Sequence, residues 1–269
     1  MRRMKGKMLV QKVTSDLRGR TKDGREIPKF GSFERAGVEL HRHTELCATW
    51  DAMHNMLTAA ELRIFGWQSY VKAPIFVRLL QSFRPYICPL EKVLENVPEG
   101  SGVLDIGCGT GGLLFQAARY RQLREGHGLD SASSSIDVAR RVAETIPTKI
   151  KFESAQSFDQ WPCEQFDVVT TIDVLHHVPP EMQDEFLKQA LARVKPRGLF
   201  IYKDMAQKPA FCAISNRIHD LILARQWIHY YPFERAIEIV RDQAFTVDKT
   251  WTGRRLVYQH EMLVAFASY

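Results

Sequence analysis

Between Gly102 and Asp204, short apolar runs bounded by turn residues alternate with longer stretches in which apolar positions recur every three to four residues. The short runs predict strands near 102–106, 126–129, 149–153, 166–172 and 199–204, because an unbroken apolar run suits a strand covered on both faces. The longer stretches predict helices near 112–122, 133–145 and 181–194. Ile136, Ala139 and Ala143 share one face of the second of these, and Leu187, Ala190, Leu191 and Val194 share one face of the third. Two more strand-like runs, around 245–251 and 256–266, close the chain. Alternating strands and helices imply parallel pairing. The expected fold class is therefore α/β, a doubly wound, mostly parallel seven-stranded sheet with helices on both faces.

Flanking segments depart from the alternation. Residues 44–97 read as helices, and after Pro74 the residues Phe76, Leu79, Leu80 and Phe83 have the spacing of one buried face. Most of the aromatics from Trp50 to Tyr86 (Phe65, Trp67 and Tyr70 among them) are expected in the core. Residues 208–243 carry a helical stripe, Ile214, Ile218, Leu221 and Ile222, and the aromatic cluster Trp227, Tyr230, Tyr231 and Phe233. The expected organisation is a basic, partly disordered tail over 1–43, an N-terminal helical cap over 44–98, and an α/β domain over 99–269 with a helical insertion at 208–243.

The chemistry concentrates where the first strand ends, in Val103-Leu104-Asp105-Ile106-Gly107-Cys108-Gly109-Thr110-Gly111-Gly112. Glycine lets a turn leave ordinary φ/ψ space and lets backbone approach a ligand, and the following helix start offers free N–H groups to an anion. Gly107, Gly109 and Gly112 also satisfy the dinucleotide pattern G-x-G-x-x-G, and Asp130 ends the next strand, where either cofactor class places a carboxylate for ribose. The glycines alone leave the choice open. Asp105 separates the readings: a pyrophosphate gains nothing from a fixed negative charge there, whereas the amino group of S-adenosylmethionine does.

Residues 103–112 resemble motif I of the class I S-adenosylmethionine-dependent methyltransferases, and the resemblance continues in order through roughly residues 100–205. Asp130, in Gly128-Leu129-Asp130, falls where that family holds the ribose. Phe166 to His177 is similar to its fourth strand and following loop, and Arg193 to Phe200 to the turn introducing its fifth, with Arg197 where a second glycine is common. The resemblance implies a Rossmann-like domain, a final strand pair with one antiparallel member, and S-adenosyl-L-methionine as cofactor. The implied cofactor-binding residues are Asp105, Gly107, Cys108, Gly109, Gly111 and Asp130, with Asp173 at the methionine end. Relatives carry an acid after the third strand to read adenine; here Ser154-Ala155-Gln156-Ser157 leaves that contact to Gln156.

Methyl transfer from a sulfonium is an in-line displacement, so the protein chiefly aligns the reactants, and a base is needed only if the acceptor must lose a proton. His176 and His177 follow the fourth strand and are the candidates to orient or deprotonate an acceptor. Tyr202, Lys203 and Asp204 end the fifth strand near the same mouth, where a solvated strand end explains Lys203 and Asp204 equally well. His219, Tyr230 and Tyr231 lie in the added helical region, which the resemblance implies forms part of the acceptor cover.

Composition narrows the function classes. The net charge of +6 is concentrated in residues 1–30, where ten Lys or Arg face three acids, so the remainder is near neutral. The basic tail could touch RNA or anionic lipid but reads more simply as a solvated leader, and nucleic acid is not the expected partner. Five cysteines, Cys47, Cys88, Cys108, Cys163 and Cys212, have no C-x-x-C spacing, which indicates neither a disulfide framework nor a metal site and fits a cytoplasmic protein. Neither a signal peptide nor a long uncharged apolar span is visible. The expected function is methyl transfer from S-adenosylmethionine to a small organic acceptor with an aromatic or acyl portion. The alternatives are an RNA or protein methyltransferase, an NAD(P)-dependent oxidoreductase, and a relative that binds the donor without turnover. Asn-Pro-Pro-Tyr, the amine-methylating signature, is replaced by Asp173-Val174-Leu175-His176.

Overall fold

A computed structural model of the protein describes residues 57–146, 149–206 and 229–268. The tail at 1–43, the start of the expected cap, the stripe Ile214 to Ile222, His219 and Trp227 lie outside the described residues. Three helices come first: α1 (Ala59–Ser69), α2 (Ile75–Ile87) and α3 (Leu90–Glu95). The alternating region follows as β1 (Gly102–Ile106), α4 (Gly112–Arg121), β2 (Glu125–Asp130), α5 (Ser133–Ala143), β3 (Ile150–Ser154), β4 (Phe166–Ile172), α6 (Pro180–Leu191) and β5 (Val194–Met205). After α7 (Phe233–Asp242), the hairpin β6 (Phe245–Arg255) and β7 (Tyr258–Ala267) ends the chain.

The seven strands form one sheet in the order β3-β2-β1-β4-β5-β7-β6. Pairing is parallel from β3 through β5, while β7 runs antiparallel to both β5 and β6. The sheet is thus mixed, and its last strand pair has the one antiparallel member that the resemblance implied. Strand order reverses between β1 and β4, so the loops leaving these two strands diverge and open a crevice at their carboxyl ends.

Side chains alternate across the sheet, and both faces are buried. Val103, Val168, Ile201 and Val264 point to one side, where they pack with Leu62, Leu94, Leu114, Phe115 and Ile136 from the helices α1, α3, α4 and α5. Their neighbours Leu104, Val169, Phe200 and Leu263 point to the other, against Leu187 and Ala190 of α6 and Ile239 and Val240 of α7. A strand buried on both faces shows apolar continuity instead of alternation, which is why β1 reads as an unbroken run.

The expected buried face of α2 is a correction. Phe76 is 59% exposed and Phe83 50%, and Leu79 and Leu80 are exposed with them. Trp67 is exposed as well, Phe65 and Tyr86 are half-buried, and of the described aromatics from Phe65 to Tyr86 Tyr70 is the one fully buried. Apart from Leu62, the buried positions of the α1–α2 pair are small or polar: Gly66 and Ser69 on α1 and Ser82 and Pro85 on α2. A Cβ on Gly66 would sit 3.0 Å from the backbone oxygen of Gln81, so the helices cross at a distance that excludes larger side chains. Periodicity located the stripe but not its direction. Replacing Gly66 with leucine is expected to cost about 1–3 kcal/mol by forcing the helices apart. Phe76→Ser is expected to stay within about 0.5 kcal/mol of the parent, both read by denaturant unfolding.

Candidate cofactor and acceptor site

The loop from β1 into α4 meets the loop leaving β4. Gly107, at φ +78°, sits so close to Val174 that a Cβ there would overlap the valine side chain. Gly109, at φ +54°, faces open space with no heavy atom within 4 Å of where its Cβ would be, leaving backbone free for a ligand. Asp130 caps this turn from β2: one carboxylate oxygen accepts from the N–H of Gly109 at 2.8 Å and the other from the N–H of Ala132 at 2.8 Å.

In front of these loops lies a cavity of about 840 Å³. Gly107, Asp130, Gln156, Asp173 and His177 all line it, so five of the residues singled out in the sequence are brought together. Gln156 is held at its backbone, whose N–H donates to the side chain of Gln160 at 2.6 Å. Phe158, Trp161, Val178, Pro179, Met182 and Phe186 supply an apolar wall. Asp105, Cys108, Gly109, Gly111 and His176 are not part of that lining.

Asp105 is 2% exposed, and the Thr170 hydroxyl donates to it at 2.7 Å. Burial pushes its carboxyl up to about 6, opposed by that hydrogen bond and by the charge of Arg84 and assisted by the nearby Asp130. Cys108 is buried, and desolvation, with the charges of Asp105 and Asp130, raises its thiol well above its ordinary value.

Asp173 has the opposite balance. Burial would raise its carboxyl, yet the ammonium of Lys203, with His260 and Arg84, holds it well below the ordinary carboxylate range. Lys203 is fully buried and ion-paired to Asp173, whose backbone takes φ +57°, and Arg84 of α2 approaches the same carboxylate at 3.9 Å. Lys203 and Asp204 are therefore not a solvated strand end. Asp204 is 4% exposed and accepts from both the backbone N–H of His176, at 3.2 Å, and the ring Nδ1 of that histidine. His176 is 1% exposed behind the cavity wall, and its ring lies 4.1 Å, centroid to centroid, from that of His177.

Three contributors escaped the sequence reading. Tyr70 of α1 donates its hydroxyl to the carbonyl of Thr110 at 2.8 Å, Gln81 of α2 faces Gly112, and Arg84 faces Asp173. Val77, Gln81 and Arg84 share one helical face beside the exposed stripe, and that polar interruption of an apolar helix was the available signal.

Residues 103–198 match the model of a methyltransferase domain family. The match spans less than half of the chain and makes its central part similar to that family. A ubiquinone biosynthesis O-methyltransferase of Coxiella burnetii is 27% identical over 178 residues, 54% of this chain and 74% of that protein. One of Paramagnetospirillum magneticum with the same name is 37% identical over 105 residues, 38% of this chain and 40% of that protein. Among solved structures, the magnesium protoporphyrin IX methyltransferase of Synechocystis PCC 6803 with bound SAH superposes with a TM-score of 0.57 at 19% identity, covering 76% of this chain and 94% of that one. At that identity the likeness concerns the fold alone. An open glycine turn beside an acid-lined cavity fits S-adenosylmethionine as donor. No helix among the described residues is long and apolar enough to cross a membrane.

Two outcomes follow from the charged cluster. Lys203→Met leaves the half-buried Asp173 with Arg84, at 3.9 Å, as its cation, and a loss of about 1–3 kcal/mol is expected in chemical unfolding. His260, on β7, is buried and bonds the carbonyl of Ile87 at 2.8 Å; burial, then Lys203, depress it to about 4 from an ordinary 6.5. Between those values the unfolded chain binds a proton that the folded chain does not, so stability is lost as pH falls from about 6.5 to 4. His260→Asn is expected to flatten that decline in unfolding measured across the interval.

Proposed function

We propose that this protein transfers a methyl group from S-adenosylmethionine to a hydroxyl oxygen of a small organic acceptor with an aromatic or acyl portion. The observation that carries the reading is the cavity itself, which has Asp130 and Asp173 on its lining, an apolar and aromatic wall formed by Phe158, Trp161, Met182 and Phe186, and His177 beside them. Oxygen as the accepting atom is supported by the relatives, which are named O-methyltransferases, and by the presence of a group able to take the hydroxyl proton.

The residues divide the work. Asp130 holds ribose hydroxyls and Gln156 the adenine edge, while Gly107, Cys108, Gly109 and Gly111 let the backbone pass close to the amino-acid end of the donor. Asp105 balances the donor's amino group from beneath the turn, with Asp173 at the methionine end. The bound donor supplies an electrophilic methyl group on a good leaving group. His177 orients the acceptor and accepts its proton, and His176, pinned by Asp204, sets the shape of the loop that presents it. A helical cap over 44–98, to which α1, α2 and α3 belong, and an insertion at 208–243 complete the domain plan of a tail over 1–43 and a methyltransferase domain over 99–269. A cytoplasmic location is supported by the free thiols of Cys88, Cys108 and Cys163.

Calorimetry with S-adenosylhomocysteine tests the site. Asp130→Ala is expected to weaken binding at least tenfold, about 1.4 kcal/mol, by removing a charged acceptor. Unchanged affinity, or stabilisation by reduced nicotinamide cofactor instead, overturns the assignment. A second consequence concerns pH. Protonating Asp105 removes the charge that meets the donor's ammonium, so affinity is expected to fall as pH drops below about 6. Asp105→Asn is expected to bind weakly with no such dependence. A labelled-methyl transfer screen over phenolic and carboxylic acceptors, read by mass spectrometry, identifies the methylated atom.

A further inference from the structure

The pair α1–α2 buries Leu62 in the core but exposes most of its large apolar side chains. Besides Leu62, its buried positions are Gly66, Ser69, Ser82 and Pro85, while Ile64 and Trp67 on α1 and Phe76, Leu79, Leu80 and Phe83 on α2 turn large apolar side chains outward. All six are at least 40% exposed. Exposed apolar residues scattered singly are ordinary, but a contiguous stripe on two neighbouring helices marks a contact surface.

Charge indicates what meets it. Residues 57–87 contain Arg63, Lys72, Arg78 and Arg84 against one acid, Glu61, which is occupied in the capping box at the start of α1. Arg84 is turned to Asp173, and Lys72 pairs with Glu144. Arg63 and Arg78 meet no carboxylate among the described residues; instead Arg78 lies over the ring of Trp67 at 3.9 Å and Arg63 near that of Phe83 at 5.7 Å. Guanidinium groups bordering exposed aromatics on an apolar stripe match the layering of a phospholipid interface, where rings sit at headgroup depth and cations meet phosphate. The ten Lys or Arg within residues 1–30 add attraction of the same sign. A second copy of this face would bring like charges together and fits poorly.

We infer that the outer face of α1–α2 docks on an anionic phospholipid surface, lying in the interface and not crossing it. The full-length protein is to be sedimented with vesicles of phosphatidylcholine mixed with phosphatidylglycerol, and with vesicles of phosphatidylcholine alone. Binding to the mixed vesicles, weakened by added salt and reduced at least ~10-fold in the double variant Phe76→Glu with Leu79→Glu, is the expected result. The double variant is expected to keep its fold by circular dichroism and its affinity for S-adenosylhomocysteine, because both side chains point away from the cavity. The inference is overturned if the parent protein stays in the supernatant with either vesicle. It is equally overturned if the double variant sediments as the parent does, which assigns binding to the basic tail. A third overturning result is light scattering that shows the substitutions dissolving a self-associated species while vesicle binding is absent.

Discussion

The carboxyl ends of β1, β4 and β5 are tied together by a contact with no room for a methyl group and by one buried ion pair. Gly107, leaving β1, lies against Val174, leaving β4, and Lys203 on β5 holds Asp173 in the left-handed region beside them. A non-glycine residue at positive φ is strained and persists only where its surroundings over-determine it. Here the surroundings are a fully buried ammonium and the helix α2, whose Arg84 reaches the same carboxylate. The crevice opened by the reversal of strand order therefore has rigid edges.

Two acids at this edge show how one fold produces opposite electrostatics. Asp105 is buried and Asp173 half-buried at the cavity edge, but Asp105 has a neutral hydroxyl as its direct partner and Asp173 an ammonium. Desolvation therefore dominates at Asp105 and Coulomb attraction at Asp173. The first is a carboxyl whose charge is costly until a cation arrives; the second is already neutralised and acts as a fixed part of the wall. The histidines divide similarly. His176 is consumed by Asp204 in holding the loop, and His177, one residue on, faces the cavity.

The helices preceding β1 join this site to the outer surface. Tyr70 reaches the carbonyl of Thr110 in the glycine turn, and Gln81 and Arg84 approach the same region from α2. One side of the pair thus braces the turn, and its other side is the exposed apolar stripe.

Local pattern was enough for the sheet, because a strand buried on both faces and a helix with one apolar face write their periods directly into the sequence. The motif at 103–112, Asp130 and the loop after β4 were legible for the same reason: a glycine at positive φ and an acid at a strand end are local demands. β5 began at Val194, earlier than expected, because its first residues pair with β4 across an irregular register that no local signal reports. The outward turn of Phe76, Leu79, Leu80 and Phe83, the burial of Lys203 and Asp204, the division between His176 and His177, and the entry of Tyr70 and Arg84 depended on tertiary structure. Each rests on a partner tens of residues away along the chain, and spacing within one element does not encode such a partner.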